Sequence, residues 1–372
     1  MTVNNEFARF GILPNVTRGS NLEFRMRGLF YLVRSYRSEL ITKYRLPLAE
    51  RWKAWRAGFS SMSWVIYDLA ENNPEHYLSN RYSRRHLYRI NGYYNPIVGN
   101  KLVLSRLLTG HGLPHPAVVS TIQGGRLTAD GIPAGADMAR TLAHTLERFP
   151  RQVFRPTWSG MGRGVFFLKH ESGALTLNDV PVTIEEVCGL LSGLDHYMAT
   201  AFVNQATYAK KIFPGSTNTL RILTLWDSES GKPFIAGVSH RFGSSRSAPL
   251  DNWHQGRGGI CAAIDAGAGL LGKGVTLTSE RRLAWHSSHP ETGEPVENVS
   301  MPGLSHCIEG LLEAAGHFPF CPLIGWDVVL TDDGYSILEA NTTPGMWVWQ
   351  VHTPLLIDPR TRRCFERWGL RR

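Results

Sequence analysis

The 372-residue sequence has little cysteine, and what it has follows no pattern. Cys188, Cys261, Cys307, Cys321 and Cys364 are scattered, odd in number and without a CxxC pair. That argues against a disulfide framework or a zinc site and for reduced thiols. Long apolar runs are missing too. LFYLV at 29–33 is far too short to cross a bilayer, and the opening MTVNNEFARFG shows no charged-then-apolar signal pattern. The expectation is a soluble, cytoplasmic protein. No internal repeat, low-complexity tract or long linker is evident. GxSxG and HExxH are absent, and His111, His115, His254 and His352 have no recognisable ligand spacing.

Acidic residues are outnumbered: 31 Asp and Glu face 40 Lys and Arg, a net charge of +9. The excess is local. Residues 25–56 carry Arg25, Arg27, Arg34, Arg37, Lys43, Arg45, Arg51, Lys53 and Arg56, and RTRRCFERWGLRR closes the sequence. Such segments suit an anionic partner (nucleotide, acidic substrate, tRNA or a membrane surface) or form a solvated helix face. With 42% hydrophobic residues and eleven tryptophans, the chain has enough apolar surface for two or three domains.

Apolar spacings of three and four predict helix over residues 22 to about 70, about 100–109, 137–148 and about 303–315. Strand patterns dominate from 218 onward, in TLRILTLW, PFIAGVSHRFG and ICAAIDA. Strands and helices without regular alternation indicate an α+β fold.

One stretch raises a chemical question. GWDVVLTDDGYSILEANTTPGM (325–346) reads as two strands about a turn, with acid where a plain hairpin would carry valine. A three-residue loop, Asp332-Asp333-Gly334, pairs Thr331 with Tyr335 and so places Asp327 opposite Glu339. Asn341 shares that face, because side chains alternate with a period of two. Opposed carboxylates repel. A shared proton would relieve them, and so would a hard cation such as Mg²⁺, which prefers these oxygens.

Other segments offer anion-binding chemistry. TWSGMGRGV places Gly160, Gly162 and Gly164 at alternate positions in a hairpin loop, where backbone N–H groups can cradle phosphate and Arg163 adds charge. No GK[ST] follows, so it is not a Walker A loop, and a strand rather than a helix follows, which excludes a Rossmann turn. Arg221 and Arg241 lie within apolar strands, where an unpaired charge is seldom buried. A ligand anion or a structural ion pair would satisfy each. LDNWHQGRGGICAAID supplies Asp251, Asn252, His254, Arg257 and a Gly-Gly pair ahead of a buried strand. In MWVWQVHTP, Trp347, Trp349 and Gln350 suit either a core or an acceptor pocket.

The order of these parts resembles the ATP-grasp superfamily: NKLVLSRLLTGHGLPHP, VFRPTWSGMGRGV, YMATAFVNQ, NTLRI, SHRFG with DNWHQGRGGI, then WDVVLTDDGYSILEANTTPGM. EANTTPGM is similar to D-alanine–D-alanine ligases, and NTLRI with the later HR, DN and GG resembles ribosomal-protein glutamate ligases. The full set, over roughly 95–355, looks most like the sugar-transfer-associated ATP-grasp group. The resemblance implies two α+β subdomains clasping ATP behind a mainly helical, basic N-terminal region. It divides the chain into that region (1–95), a pre-ATP-grasp segment (96–136), a lid subdomain (137–205) and a large subdomain (206–372).

Carried over residue by residue, the resemblance gives Lys101 a phosphate contact and lays Gly160, Gly162, Arg163 and Gly164 over the β/γ-phosphates. Asp327, Glu339 and Asn341 would bind Mg²⁺. Arg221 and Arg241 would act catalytically on the γ-phosphate and an acyl phosphate. Arg155 stands where the family carries a lysine, keeping the charge but not the compact shape. The usually acidic hinge reads Ala199-Thr200-Ala201, leaving backbone near Ala201 and Val203 to meet adenine. Asn252, Gly259, Gly345, Met346 and Gln350 are candidates for the substrate wall. The implied chemistry is ligation of a small-molecule carboxylate to an amine through an acyl phosphate, in cell-surface or secondary-metabolite biosynthesis. A kinase acting on a hydroxyl, or a non-enzymatic basic binding module, is the alternative. Oligomeric state, a homodimer included, stays open.

Overall fold

A computed structural model describes residues 39, 44, 46–160, 162–253, 258–279 and 282–370. The helical pattern over 22–38, most of the first basic run, His254 and Arg257 lie outside the described residues. Among those described, the chain opens with helices α1 (Leu48–Ala57), α2 (Ser61–Ile66), α3 (Asn80–Asn91), α4 (Asn95–Gly99) and α5 (Lys101–Gly110). Local chemistry sets their ends. Ser60 and Ser79 accept from the backbone N–H groups of Ser63 and Tyr82, and the Asn100 side chain accepts from Leu102 and Val103. Asn100 therefore fixes Lys101 as the first residue of α5.

Next come β1 (Val118–Gln123), β2 (Arg126–Thr128), α6 (Met138–Arg148), β3 (Arg151–Pro156), β4 (Phe166–Glu171), β5 (Ala174–Leu177), β6 (Val180–Pro181), α7 (Ile184–Ser192) and β7 (Tyr197–Ala201). They form an antiparallel sheet in the order β2-β1-β7-β3-β4-β5-β6. Asp137 caps α6, and a Thr183–Glu186 capping box starts α7. Leu142 and Leu146 of α6 and Val187 and Leu191 of α7 bury against Phe154 and Leu168 of the sheet.

The remaining elements are α8 (Thr207–Ile212), β8 (Thr219–Asp227), β9 (Lys232–Phe242), β10 (Ile260–Asp265), β11 (Leu270–Leu277), β12 (Leu283–His286), α9 (Leu304–Gly316), β13 (Leu323–Thr331), β14 (Gly334–Asn341), α10 (Trp347–Gln350) and α11 (Pro359–Arg367). Their sheet runs β12-β11-β10-β9-β8-β13-β14, again antiparallel. It is covered on both faces. On one, Leu220, Ile222, Trp326 and Val328 meet Leu104 of α5 and Leu311 of α9. On the other, Leu223, Leu225 and Leu323 meet Tyr82 of α3, Trp349 of α10 and Phe365 of α11. Eight consecutive residues of β13 are buried as a result, Asp327 among them. The two sheets bracket a cavity of about 420 Å³, lined from β3, β7, the glycine loop, β8, β9, β13 and β14.

Two histidines, His240 buried and His352 half-buried, make the fold sensitive to acid. His240 is stacked on Phe242 at 4.1 Å and lies 2.9 Å from the Tyr208 hydroxyl and 3.2 Å from the Arg241 carbonyl. A carbonyl at Nδ1 requires a proton there, so Nε2 accepts from Tyr208 and the neutral ring is satisfied. Burial lowers the pKa of His240 to about 3 and that of His352 to about 4. The unfolded chain titrates near the ordinary value of about 6.5. The stability these rings contribute is therefore complete above about pH 6.5 and is lost as pH falls toward their folded values. Thermal unfolding followed from neutral to mildly acidic pH is expected to show a falling Tm, with a shallower slope in His240→Gln. An unchanged slope would refute this assignment.

Candidate functional site

The hairpin reaches the expected pairing by a different route. Thr331 pairs with Gly334 and Leu330 with Tyr335, so the turn has two residues rather than three. That register alone would set Asp327 opposite Leu338. A β-bulge between the Val328–Ile337 and Asp327–Glu339 pairs inserts one residue and brings Asp327 opposite Glu339 after all. The bulged Leu338 turns its carbonyl to Arg155 of the other sheet, whose Nη1 donates at 3.2 Å.

A row of charge crosses the sheet. Glu339, Asp327, Arg221 and Ser239 are successive partners on β14, β13, β8 and β9. Arg221 Nη2 donates to Asp327 Oδ2 at 2.9 Å, and its Nε lies 2.6 Å from Oδ1 as an ion-pair contact without hydrogen-bond alignment. Arg241, two residues beyond Ser239, reaches Asp327 Oδ1 at 3.2 Å and Asp251 Oδ1 at 3.5 Å. Asp251 is itself fixed by the Thr219 N–H at 2.9 Å and the Thr219 hydroxyl. Lys101 Nζ lies 3.3 Å from Glu339 Oε2 and donates to the Ser159 carbonyl at 2.7 Å. Asn341 donates to Glu339 at 3.2 Å and to Asp327 at 3.4 Å.

The opposed acids thus have protein cations beside them, a relief that the sequence reading did not weigh for them, together with the shared proton that it did. Burial, with the charge on Glu339, pushes Asp327 up to about 7 against the pull of Arg221 and Arg241. Burial also opposes charge on Glu339, but Lys101, the bond to Asp327 and Arg221 outweigh it and bring Glu339 below the ordinary range. Glu339 therefore carries the first negative charge of the pair.

The pocket carries an excess of positive charge. Among the described residues, Lys101, Arg155, Arg221 and Arg241 line it with three carboxylates, Asp251, Asp327 and Glu339. Arg155 is buried, yet its Nε and Nη2 have no partner. Unsatisfied guanidinium nitrogens inside a cavity call for anionic oxygens. The donor chemistry also suits Mg²⁺: two carboxylates and an amide are hard ligands that leave most of its coordination to phosphate and water. Among the described residues no group of three or more His, Cys, Asp or Glu could complete a cage without a ligand.

The cavity also has an apolar lining, from Val153, Val165, Phe167, Ala201, Phe202, Val203 and Leu338. Gly160 and Gly162 line the cavity, and Gly162, at φ 67°, would place a Cβ 2.1 Å from Leu250. Gly164 and Arg163 are exposed and are not part of that lining.

The candidates for the substrate wall divide. Asn252 and Gly345 line the cavity, joined by Trp253 and Trp347, whose rings stack at 4.9 Å. Gln350, Met346 and Gly259 do not. The Gln350 carbonyl accepts from Leu78 N–H at 2.6 Å, and its amide donates to the Leu78 carbonyl at 3.2 Å and the Tyr67 hydroxyl at 3.3 Å. Met346 is buried in the core under the helices. Gly259 lies against the carbonyls of Asn252 and Phe242. Sequence reasoning missed Thr219 as the anchor of Asp251, though Thr219 is two residues from Arg221 and so on its face. The Leu338 carbonyl had no signal at all.

Fold and site together define an ATP-grasp protein. The chain belongs to the sugar-transfer associated ATP-grasp family, whose model matches residues 78–363. No curated protein matches the sequence. Similar solved structures include an ADP complex of purK, N5-carboxyaminoimidazole ribonucleotide synthetase, at 12% identity and TM-score 0.38, covering 67% of this chain and 46% of that one. D-alanyl-alanine synthetase A from Vibrio cholerae O1 biovar eltor str. N16961 matches at 12% and 0.39, over 74% and 61%. The ATP-grasp ligase PsnB, complexed with a phosphomimetic variant of minimal precursor, Mg and ADP, matches at 10% and 0.38, over 77% and 67%. The chain spans about half the length of the synthetase of the first match. Such likeness says nothing of substrate.

The role of Gln350 is open to direct test. Gln350→Leu strands a buried N–H and C=O of Leu78, which costs about 1–3 kcal/mol for each group left unpaired. Denaturant unfolding is expected to show that loss while nucleotide affinity of the folded variant stays at the parent value. Weakened nucleotide binding without lost stability would return Gln350 to the pocket.

Proposed function

We propose that the protein is an ATP- and Mg²⁺-dependent carboxylate–amine ligase, forming an amide or peptide bond through an acyl phosphate. The observation that carries this reading is the pairing of Asp327 with Arg221 and Arg241 beside Glu339 and Asn341, in the wall of a cavity lined by cations and by apolar side chains. In this reading the apolar lining at Phe167, Ala201 and Val203 takes adenine. Lys101, the unpaired nitrogens of Arg155 and the backbone at Gly160 and Gly162 take the phosphates. Asp327, Glu339 and Asn341 would hold Mg²⁺, which would supply neutralisation of phosphate charge.

The proposed reaction has two steps. A substrate carboxylate oxygen attacks the γ-phosphorus, the bond to the bridging oxygen breaks, and ADP leaves. The amine nitrogen then attacks the acyl carbon, the C–O bond to phosphate breaks, and inorganic phosphate and a proton leave. Arg221 and Arg241 face the charge that moves between these oxygens, and preorganised cations in a dry site stabilise it without reorganising. No side-chain nucleophile is required. Residues 137–205, with the glycine loop, act as the lid that excludes water. The amine sits by Asn252, Gly345 and the Trp253–Trp347 stack, and the product belongs to cell-surface or secondary-metabolite biosynthesis.

Hydroxylamine trapping tests the mechanism. With ATP, Mg²⁺ and a panel of amino acids and uronic acids, an acceptor-free reaction is expected to yield a hydroxamate alongside ADP. Asp327→Asn with Glu339→Gln is expected to lower both by at least about 10²-fold. ADP formed with no hydroxamate on any acid that turns over would identify a phosphotransferase instead.

A further inference from the structure

Helix α1 points its large apolar side chains the wrong way for a core helix. Its buried residue is Ala54, whereas Leu48 is 84% exposed and Trp52 is 60% exposed. Four residues apart, the two share one face. Cations surround them. Arg56 sits 5.3 Å over the Trp52 ring and Arg51 5.0 Å over Trp55, and Lys53 is exposed. The helix's one acid, Glu50, is taken up by Lys53 at 2.7 Å and the Trp64 indole at 3.1 Å. The positive surface continues into α3, where the Arg81 N–H donates to the Gly58 carbonyl at 2.9 Å and its guanidinium to the Trp55 carbonyl. Arg85, one turn on from Arg81, is likewise exposed. None of these residues touches the cavity.

Scattered exposed apolar residues are ordinary, but a leucine and a tryptophan side by side within a basic surface have a specific chemistry. Tryptophan favours the boundary between lipid headgroups and acyl chains, leucine gains by entering it, and Lys and Arg bind anionic lipid phosphates. RNA would use the arginines and stack on the indole, but it offers nothing to Leu48, the more exposed of the pair. We infer that α1 docks the protein on an anionic lipid bilayer, with Leu48 and Trp52 entering the headgroup boundary and Lys53, Arg56 and the neighbouring α3 arginines facing lipid phosphates. The contact is interfacial, since among the described residues no helix is long and apolar enough to cross a membrane.

Co-flotation of the full chain with vesicles tests this. Binding is expected on phosphatidylcholine mixed with phosphatidylglycerol, to weaken as salt rises, and to be slight on phosphatidylcholine alone. Lys53→Gln and Arg56→Gln are each expected to weaken it about five-fold, and Leu48→Ala with Trp52→Ala about ten-fold or more. ADP release without vesicles serves as the folding control and is expected to stay at the parent value. Equal binding to both lipid compositions, an undiminished Leu48/Trp52 variant, or tRNA bound more tightly than the anionic vesicles would each overturn the inference.

Discussion

A carboxylate on a strand covered by both faces of the protein is costly to ionise, and cations near it lower that cost. Asp327 is that carboxylate, and its neighbours in the site are arranged around it. Arg221 is set opposite it by the β8–β13 register, Arg241 reaches it from β9, and Asp251 with Thr219 keeps Arg241 in place. Removing one partner of so buried a set strands the others at a cost of about 3–5 kcal/mol, so the site is also a structural element of the large sheet.

The same arrangement ties the two sheets together. The bulge that brings Glu339 opposite Asp327 also frees the Leu338 carbonyl, which accepts from Arg155 on β3. Arg155 keeps its other nitrogens unpaired in the cavity, and Lys101 spans Glu339 and the Ser159 carbonyl at the start of the glycine loop. Phosphate entering between them would meet groups already positioned from both sides, at little cost in reorganisation. Arg155 would suit such double duty better than a lysine, because its fork can serve a carbonyl and an anion at once.

The alternation of LIGWDVVLT and YSILEANT was enough to place Asp327 beside Glu339, and arginines on apolar strands were enough to mark Arg221 and Arg241 as paired. The register was reached through two compensating differences, a shorter turn and a bulge, and no composition rule foretells a bulge at Leu338. The tail of the motif misled for another reason: MWVWQVHTP alternates like a strand but folds as helix α10, and the partner of Gln350, Leu78, lies 272 residues away. Long-range contacts of that kind leave no local trace. Helix α3 was not anticipated either, since its arginines obscure the apolar stripe of Tyr82 and Leu87.

Protein cations already lie against the acids, so Mg²⁺ is expected to enter only in company with phosphate. Calorimetric titration of Mg²⁺ into the protein, with and without a non-hydrolysable ATP analogue, measures this directly. The expected result is no saturable Mg²⁺ binding to the free protein and clear binding once the analogue is present. Saturable Mg²⁺ binding without nucleotide, or analogue binding that is indifferent to Mg²⁺, would contradict it.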